Sequence, residues 1–469
     1  MTDGKTPMTL ALELAKRINA VRYEDLPPEA IHWAKVGILD TVGVTLAGAN
    51  EDTTRIPASV LALGAGAGPS LVFGSGRRVS PLDAALVNGV ASHALDFDDC
   101  NNTIGGHPSA PILPALFALA DHTGATGRDF IAAYVAGFET ECKLGLGVHF
   151  YHYTKGWHPT ATLGVFGSAA ACSKLLKLSD EKVATAIAIA ASLAAGVKAN
   201  FGTMTKPLHV GHCTRNGLFA ALLARDGFTA NDGVFEHKQG YFNVFNGEGN
   251  YDAGKVLPAW GKPFDIVKPG IAIKQYPCCG STHSALDAML KLAREHKPAA
   301  TDIERVDVWT HTRRLEHTNR PDPKSDLDAK FSVQYCMTRA LLDRRISIEH
   351  FEGKAYEDAA VRKLLSRVHA APYTAAQFPA DNHFGAEVKV TLRGGKLLSG
   401  KVDQPFGRTS DNPLPASLLK EKFEDCAARV LPRERIAPLY SAIQGFENLK
   451  DAREMTAIIA GEARAQAAA

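Results

Sequence analysis

The 469-residue chain has almost no surplus of either charge. Lys and Arg number 52 against 50 Asp and Glu, a formal net charge of +2. So flat a balance argues against a nucleic-acid binder, which gathers Lys and Arg on one face. Long apolar runs are missing too. The most apolar uncharged stretch lies between Lys182 and Lys198, short of the roughly 20 residues of a membrane span. It is Ala-rich and reads as a buried helix, so no membrane partner is expected. The N-terminus, with Asp3, Lys5, Glu13 and Lys16, offers no apolar stretch for a signal peptide. Cysteine is sparse: the eight residues form no CxxC pair and no regular framework, which points to reduced thiols in a cytoplasmic protein. Cys278 and Cys279 are adjacent and poorly placed to bridge each other.

Several chemical signatures are absent as well. No GxSxG elbow occurs. The near-matches to a phosphate loop at Gly249–Lys255 and Gly395–Lys401 are each followed by Val where Ser or Thr should hold Mg²⁺. The run Gly64-Ala65-Gly66-Ala67-Gly68 lacks the spacing and preceding strand of a dinucleotide fingerprint. His149 with His152, and His209 with His212, have no carboxylate or Cys companion in a metal-site pattern. No metal and no cofactor are expected.

What is present is an ordinary globular composition, 45% hydrophobic and 22% charged, which excludes disorder as the main state. The length suggests two to four domains at about 150 residues each. Up to about residue 230 the pattern is helical, with Ala- and Leu-rich segments at 111–121, 129–142, 163–178 and 180–195. They are apolar on more than one face, as in a multilayer helical core. Ser179 sits where an N-cap belongs, and Gly196–Pro207 reads as a loop. From about residue 265 the texture changes. Ile303–Thr310 alternates as a strand, Glu387–Leu392 and Leu397–Val402 flank Gly394-Gly395 as a hairpin, and helices are expected at 284–297 and 331–344. Helix returns after 405–415 and runs to Glu462, with an Ala-rich tail after Arg464 expected to fray. The fold class is therefore mainly α: a helical domain over 1–270 and 405–469 with an inserted, smaller α+β lid domain at 271–404.

Four segments concentrate ionisable groups among these helices. The first is His93-Ala-Leu-Asp96-Phe-Asp98-Asp99 with Gly105-Gly106-His107-Pro108. Its three closely spaced carboxylates repel one another unless a cation or a shared proton offsets them; a solvated turn and an acid–base pair are both compatible with the spacing. The second is Trp157-His158-Pro159-Thr160, a helix start with either a capping or a catalytic His. The third is Thr203–His209, whose Lys206 is either a snorkelling surface cation or a substrate-binding one. The fourth, Ala272–His283, marks the expected domain junction, a preferred place for a ligand cleft; its Cys279 is either a buried small hydrophobe or a nucleophile near His283. Lys206, Lys274 and several His lining a cleft with Asp96 or Asp98 would suit a small polycarboxylate. Cations would hold its carboxylates while a His or Asp removes the proton next to one of them.

Together these motifs resemble the MmgE/PrpD family. The resemblance rests on His93-x-x-Asp96-Phe-Asp98-Asp99, His107-Pro108, His158-Pro159, Thr205-Lys206-Pro207-Leu208-His209-x-Gly211, Lys274-x-x-Pro277, Ala329–Tyr335, and Asn412-Pro413 before Lys422-Phe423. The family includes 2-methylcitrate dehydratase, cis-aconitate decarboxylase and iminodisuccinate epimerase. It implies a helical domain with an α+β lid, an active site between them, usually a homodimer, and catalysis without metal or organic cofactor. Matched motif to motif, its catalytic residues fall on Asp96, His107, His158, Lys206 and Lys274. His317 takes the place of a Tyr implicated in the decarboxylase. The Asp96–His107 spacer is one residue longer, so an expected Thr becomes Cys100 or Asn101. Tyr276-Pro-Cys-Cys-Gly resembles members nearer the epimerase. Cys100, Cys279 and His317 are the expected substrate-binding positions. The expected activity is a lyase acting on a citrate-like acid, with dehydration ahead of decarboxylation; an epimerase and a non-catalytic carboxylate binder are the alternatives.

Overall fold

The Ala- and Leu-rich segments are helices in a computed structural model that describes residues 8–64 and 66–462. Asp3, Lys5, Ala65 and the tail after Arg464 lie outside the described residues. Six helices carry the argument: α1 (Pro28–Gly48), α2 (Pro81–His93), α3 (Ser109–Thr123), α4 (Gly127–Val148), α5 (Gly164–Leu175) and α6 (Asp180–Leu193). Ser179 caps α6, its hydroxyl accepting from the Lys182 N–H at 3.4 Å. Every residue of α3 from Ser109 to Asp121 is buried, as a helix wrapped by others requires.

A seventh helix, α7 (Thr205–Arg225), lies along α2. Their backbones touch because both contact points are glycine. A Cβ on Gly211 would stand 2.4 Å from the Leu86 carbonyl, and one on Gly89 2.8 Å from the Gly211 Cα. This close crossing brings the C-terminal end of α2 beside the N-terminal end of α7.

The chain divides into two compact units, the described parts of Met1–Ala272 with Leu419–Ala469, and Ile273–Leu418. The first is helical apart from a small hairpin, β1 (Ser70–Val72) with β2 (Arg77–Val79). The second holds a four-stranded sheet in the order β4 (Val368–Pro372), β3 (Ile303–Thr310), β5 (Ala386–Leu392), β6 (Leu397–Val402). Strands β3 and β4 are parallel, and the other pairings are antiparallel. Gly394 and Gly395 turn the β5–β6 hairpin with φ of +90° and +84°, values that favour glycine. Helices α8 (His283–His296) and α9 (Val333–Asp343) pack on this sheet around Leu286, Met289, Val306, Val388 and Met337. The stretch after β6 stays with this unit, the Phe406 N–H donating to Asp287 at 3.2 Å. The chain is thus mainly α with a smaller α+β region. Among the described residues no helix is long and apolar enough to cross a membrane, and all eight cysteines are free thiols.

The structure departs from the sequence reading at three places. The β1–β2 hairpin interrupts what reads as helix. Strand β4 carries no alternation of its own and exists through its pairing with β3. The stretch 196–207 is not loop throughout: a 3₁₀ turn forms at Lys198–Asn200 and α7 begins at Thr205, so Lys206 stands in a first helical turn.

Candidate active site

The site is built where α2 ends. Helix α2 stops at His93, and Asp96 adopts the left-handed region at φ +53°, a conformation that Asp and Asn tolerate better than most residues. The reversal sends the three neighbouring carboxylates in three directions. Asp96 faces α7 and accepts from Lys206 Nζ at 2.7 Å. Asp98 turns inward, fully buried, between two imidazoles: His93 Nδ1 lies 2.8 Å from Oδ2 and 3.0 Å from Oδ1, and His107 Nδ1 lies 3.1 Å from Oδ2. Asp99 goes deeper, where Ser109 donates to it through both its hydroxyl and its N–H.

The loop carrying His107 is fixed by backbone pairing. Cys100 exchanges N–H···O bonds with Ala272 at 2.8 and 2.7 Å, and Asn101 donates to the Gly106 carbonyl at 2.9 Å. The Asn101 side chain accepts from the Thr103 N–H at 2.7 Å, closing an Asx turn. His107 then donates its N–H to Thr160 Oγ1 at 3.1 Å, and its Nε2 comes within 3.6 Å of Asp96 Oδ1. His158 precedes the short helix Pro159–Thr162 and donates its N–H to the Gly196 carbonyl at 3.0 Å. Its Nδ1 lies 3.3 Å from His209 Nδ1, its ring centroid 5.7 Å from that of His93. Lys422 holds the turn from below, bonding Asp40 at 2.5 Å and the Phe97 carbonyl at 2.9 Å.

These surroundings drive the imidazoles apart. Burial lowers His107, but Asp98 and Cys100 outweigh it and push its pKa up to about 10. Burial, helped by the positive charges of Lys206 and His107, drops His158 well below its ordinary value. His93 falls to about 4, chiefly through burial. At neutral pH the site therefore holds an imidazolium and a neutral imidazole within one cluster. Such divergence sorts acid from base in enzymes. Asp98, although burial opposes it, is held ionised by His107 and His93; burial raises Asp99 well above the carboxylate range.

Ligand-type atoms of His93, Asp96, Asp98 and His107 lie within 4.8 Å of one another, the one such grouping of His, Cys, Asp or Glu among the described residues. In this arrangement both Nδ1 atoms face Asp98, and Lys206 supplies the cation at Asp96.

Of the expected catalytic residues, Asp96, His107, His158 and Lys206 come together in the first unit, with Cys100 Sγ 3.9 Å from His107 Nδ1. Lys274, Cys279 and His317 belong to the second. Lys274 is buried, two residues along the chain from Ala272. Cys279 is buried and donates its N–H to the Lys330 carbonyl at 3.0 Å; His283 directs Nε2 at the Cys278 carbonyl, 3.3 Å away. His317 is exposed at the end of the helix Thr312–Thr318, its Nε2 2.9 Å from Ser281 Oγ. Sequence reasoning assigned Asp96 but not Asp98 to the site and gave no role to His93, His209 or Lys422, although all stand inside the quoted motifs.

The N-terminal domain profile of the MmgE/PrpD family matches residues 12–253, and its C-terminal domain profile matches 276–441. The chain belongs to the MmgE/PrpD family. It is 32% identical over 461 residues to human cis-aconitate decarboxylase, covering 95% of this chain and 94% of that protein. It is 30% identical to the mouse cis-aconitate decarboxylase, covering 95% and 92%. A cis-aconitate decarboxylase-like protein of Aspergillus oryzae is 28% identical over 488 residues, covering 98% and 99%. The preference for dehydration drawn from the sequence gains no support here, since these relatives are named for decarboxylation.

Proposed function

We propose that this chain is a lyase that decarboxylates a cis-aconitate-like unsaturated tricarboxylate. One observation carries the reading: Asp96, His107, His158 and Lys206, from segments up to 110 residues apart, meet in one cluster with one protonated and one neutral imidazole. The chain that carries them matches human cis-aconitate decarboxylase over 95% of its length.

The chemistry follows from the charges. A carboxylate leaving as CO₂ gives its C–C bonding pair to a new C=C bond. The old π pair then moves onto the carbon next to another carboxylate, and that carbon takes a proton. The substrate trianion and one H⁺ thus give a dicarboxylate with a terminal methylene and CO₂. Lys206 binds a carboxylate and stabilises the charge developing beside it. His107 donates the proton from Nε2. Neutral His158 accepts or donates a hydrogen bond to the substrate without adding charge, and Asp96 aligns Lys206 and His107. On the family resemblance, Lys274 holds a further carboxylate and Cys100, Cys279 and His317 touch the substrate. A cytoplasmic homodimer is proposed with this activity.

The test is NMR of cis-aconitate with the purified chain in D₂O. The expected product carries one deuterium on the carbon next to a carboxylate and two protons on a terminal methylene, with CO₂ released in equal amount. Loss or addition of water without CO₂, or deuterium uptake alone, overturns the reading.

A further inference from the structure

We infer that Asp98, backed by His93, is the positioning residue of the proton donor His107. The inference rests on the functional reading above and extends it to a residue that touches no substrate.

Asp98 has no exposed surface, and its carboxylate faces two Nδ1 atoms, His93 at 2.8 Å and His107 at 3.1 Å. An ionised carboxylate can only accept, so both Nδ1 atoms must carry hydrogen. That leaves Nε2 as the working atom of His107, and Nε2 is the atom on the Asp96 side. The Thr160 hydroxyl holds the backbone of His107, and His93 packs edge-on against its ring, centroids 4.6 Å apart. Position, plane and protonated nitrogen are thereby fixed together.

His93 completes the device. Its Nε2 is buried without a hydrogen-bond partner, and burial keeps the ring neutral near pH 7. It therefore gives Asp98 a hydrogen bond without a second positive charge competing with His107. The groups facing His107 are Asp96, Asp98 and Cys100 from its own loop side, His93 from α2, His158 just before and Thr160 within the Pro159–Thr162 helix, and Lys206 across Asp96. Only Asp98 meets Nδ1 with a full charge. When His107 gives its Nε2 proton to carbon, the Nδ1–H stays on Asp98 and the carboxylate stays ionised. Water reloads Nε2 after the product leaves.

Asp98→Asn in the full chain is the test. Its amide can accept from one Nδ1–H but must direct its NH₂ at the other nitrogen or leave it bare. Turnover of cis-aconitate should fall about 10²- to 10³-fold, the scale of a misaligned acid, with KM within about threefold. His93→Asn, whose amide N–H stands in for Nδ1–H, should keep turnover within about tenfold, whereas His93→Leu should lose as much as Asp98→Asn. A second readout needs no turnover: ¹⁵N spectra of histidine-labelled chain should show His107 protonated at Nδ1 in the wild type and altered in Asp98→Asn. Folded Asp98→Asn with near-wild-type kcat, a KM rise equal to the kcat loss, or a wild-type His107 bare at Nδ1 overturns the inference. If cis-aconitate is not turned over at all, the functional reading fails, and the ¹⁵N spectra still decide the role of Asp98.

Discussion

Replacing Asp96 by Asn should tighten the binding of a tricarboxylate while slowing its conversion. The Asp96 side chain is 22% exposed, with Oδ1 2.7 Å from Lys206 Nζ and 3.6 Å from His107 Nε2. A substrate carboxylate taken up by Lys206 must therefore approach this carboxylate to about 5 Å. At an effective dielectric of about 20, two like charges at that distance cost about 3 kcal/mol. Partial exposure screens the pair, leaving about 1–2 kcal/mol, which is about 5- to 30-fold in Kd. Asn keeps the shape and tolerates the φ of +53° that this turn demands, so the backbone stays as it is. Titration calorimetry with propane-1,2,3-tricarboxylate, which has no double bond to shift, isolates binding from turnover. The expected result is a Kd lowered at least about fivefold at low salt, an advantage shrinking with added salt, and a kcat lowered about tenfold or more. Binding that weakens in Asp96→Asn would refute the argument, since it would mean that Asp96 attracts the ligand more than it repels it.

Lys206→Ala and His158→Ala should each lower kcat/KM for cis-aconitate at least about 10²-fold; near-wild-type rates in both would remove them from the chemistry. His152, which takes no part in the proposed chemistry, makes a pH prediction. Burial lowers its pKa from 6.5 to about 4, while Asn246 Oδ1 and Thr162 Oγ1 sit on its two nitrogens at 2.9 and 2.7 Å. The unfolded chain takes up this proton below pH 6.5 and the folded chain only near pH 4, so its contribution to stability is complete above pH 6.5 and lost on acidification between those values. The stability gap between wild type and His152→Gln should shrink by up to about 3 kcal/mol from pH 6.5 to 4, read from urea unfolding at each pH; a constant gap contradicts the assignment. Gly211→Ala forces a Cβ to 2.4 Å from the Leu86 carbonyl and should cost about 1–3 kcal/mol together with activity, because it prises α7 from α2; an unchanged urea midpoint would show that the crossing can relax.

Much of the helical unit is legible because burial on all faces leaves an Ala- and Leu-rich pattern that no surface helix needs. The β5–β6 hairpin is legible because Gly394 and Gly395 announce a backbone conformation. Strand β4 is not, since Val368–Pro372 becomes a strand only by lying parallel to β3, and pairing across more than fifty residues leaves no local trace. The start of α7 is hidden for a related reason. Lys206 carries positive charge in a first turn, where the helix dipole disfavours it, so local rules read the segment as loop. The structure places the Asp96 carboxylate 2.7 Å away, a compensation supplied from another part of the chain.

The acidic turn shows what spacing alone leaves unresolved. Three carboxylates at positions 96, 98 and 99 repel unless a cation or a proton intervenes, and sequence spacing cannot assign which remedy serves which residue. The structure uses both. Asp96 is met by Lys206 from a distant segment and Asp98 by His107 from its own loop, each a full positive charge, while burial beside Ser109 raises Asp99 well above the carboxylate range and favours its protonated form. The cluster thus reaches near-neutrality before any substrate arrives, and that neutrality has a consequence. A polyanion taken up by Lys206 must share that cation with an internal partner, and the partner that can yield ground is the partly exposed Asp96, not the sealed Asp98. The same division separates the two roles: the carboxylate that shares its cation with the substrate governs affinity, and the one that cannot move holds the acid in line.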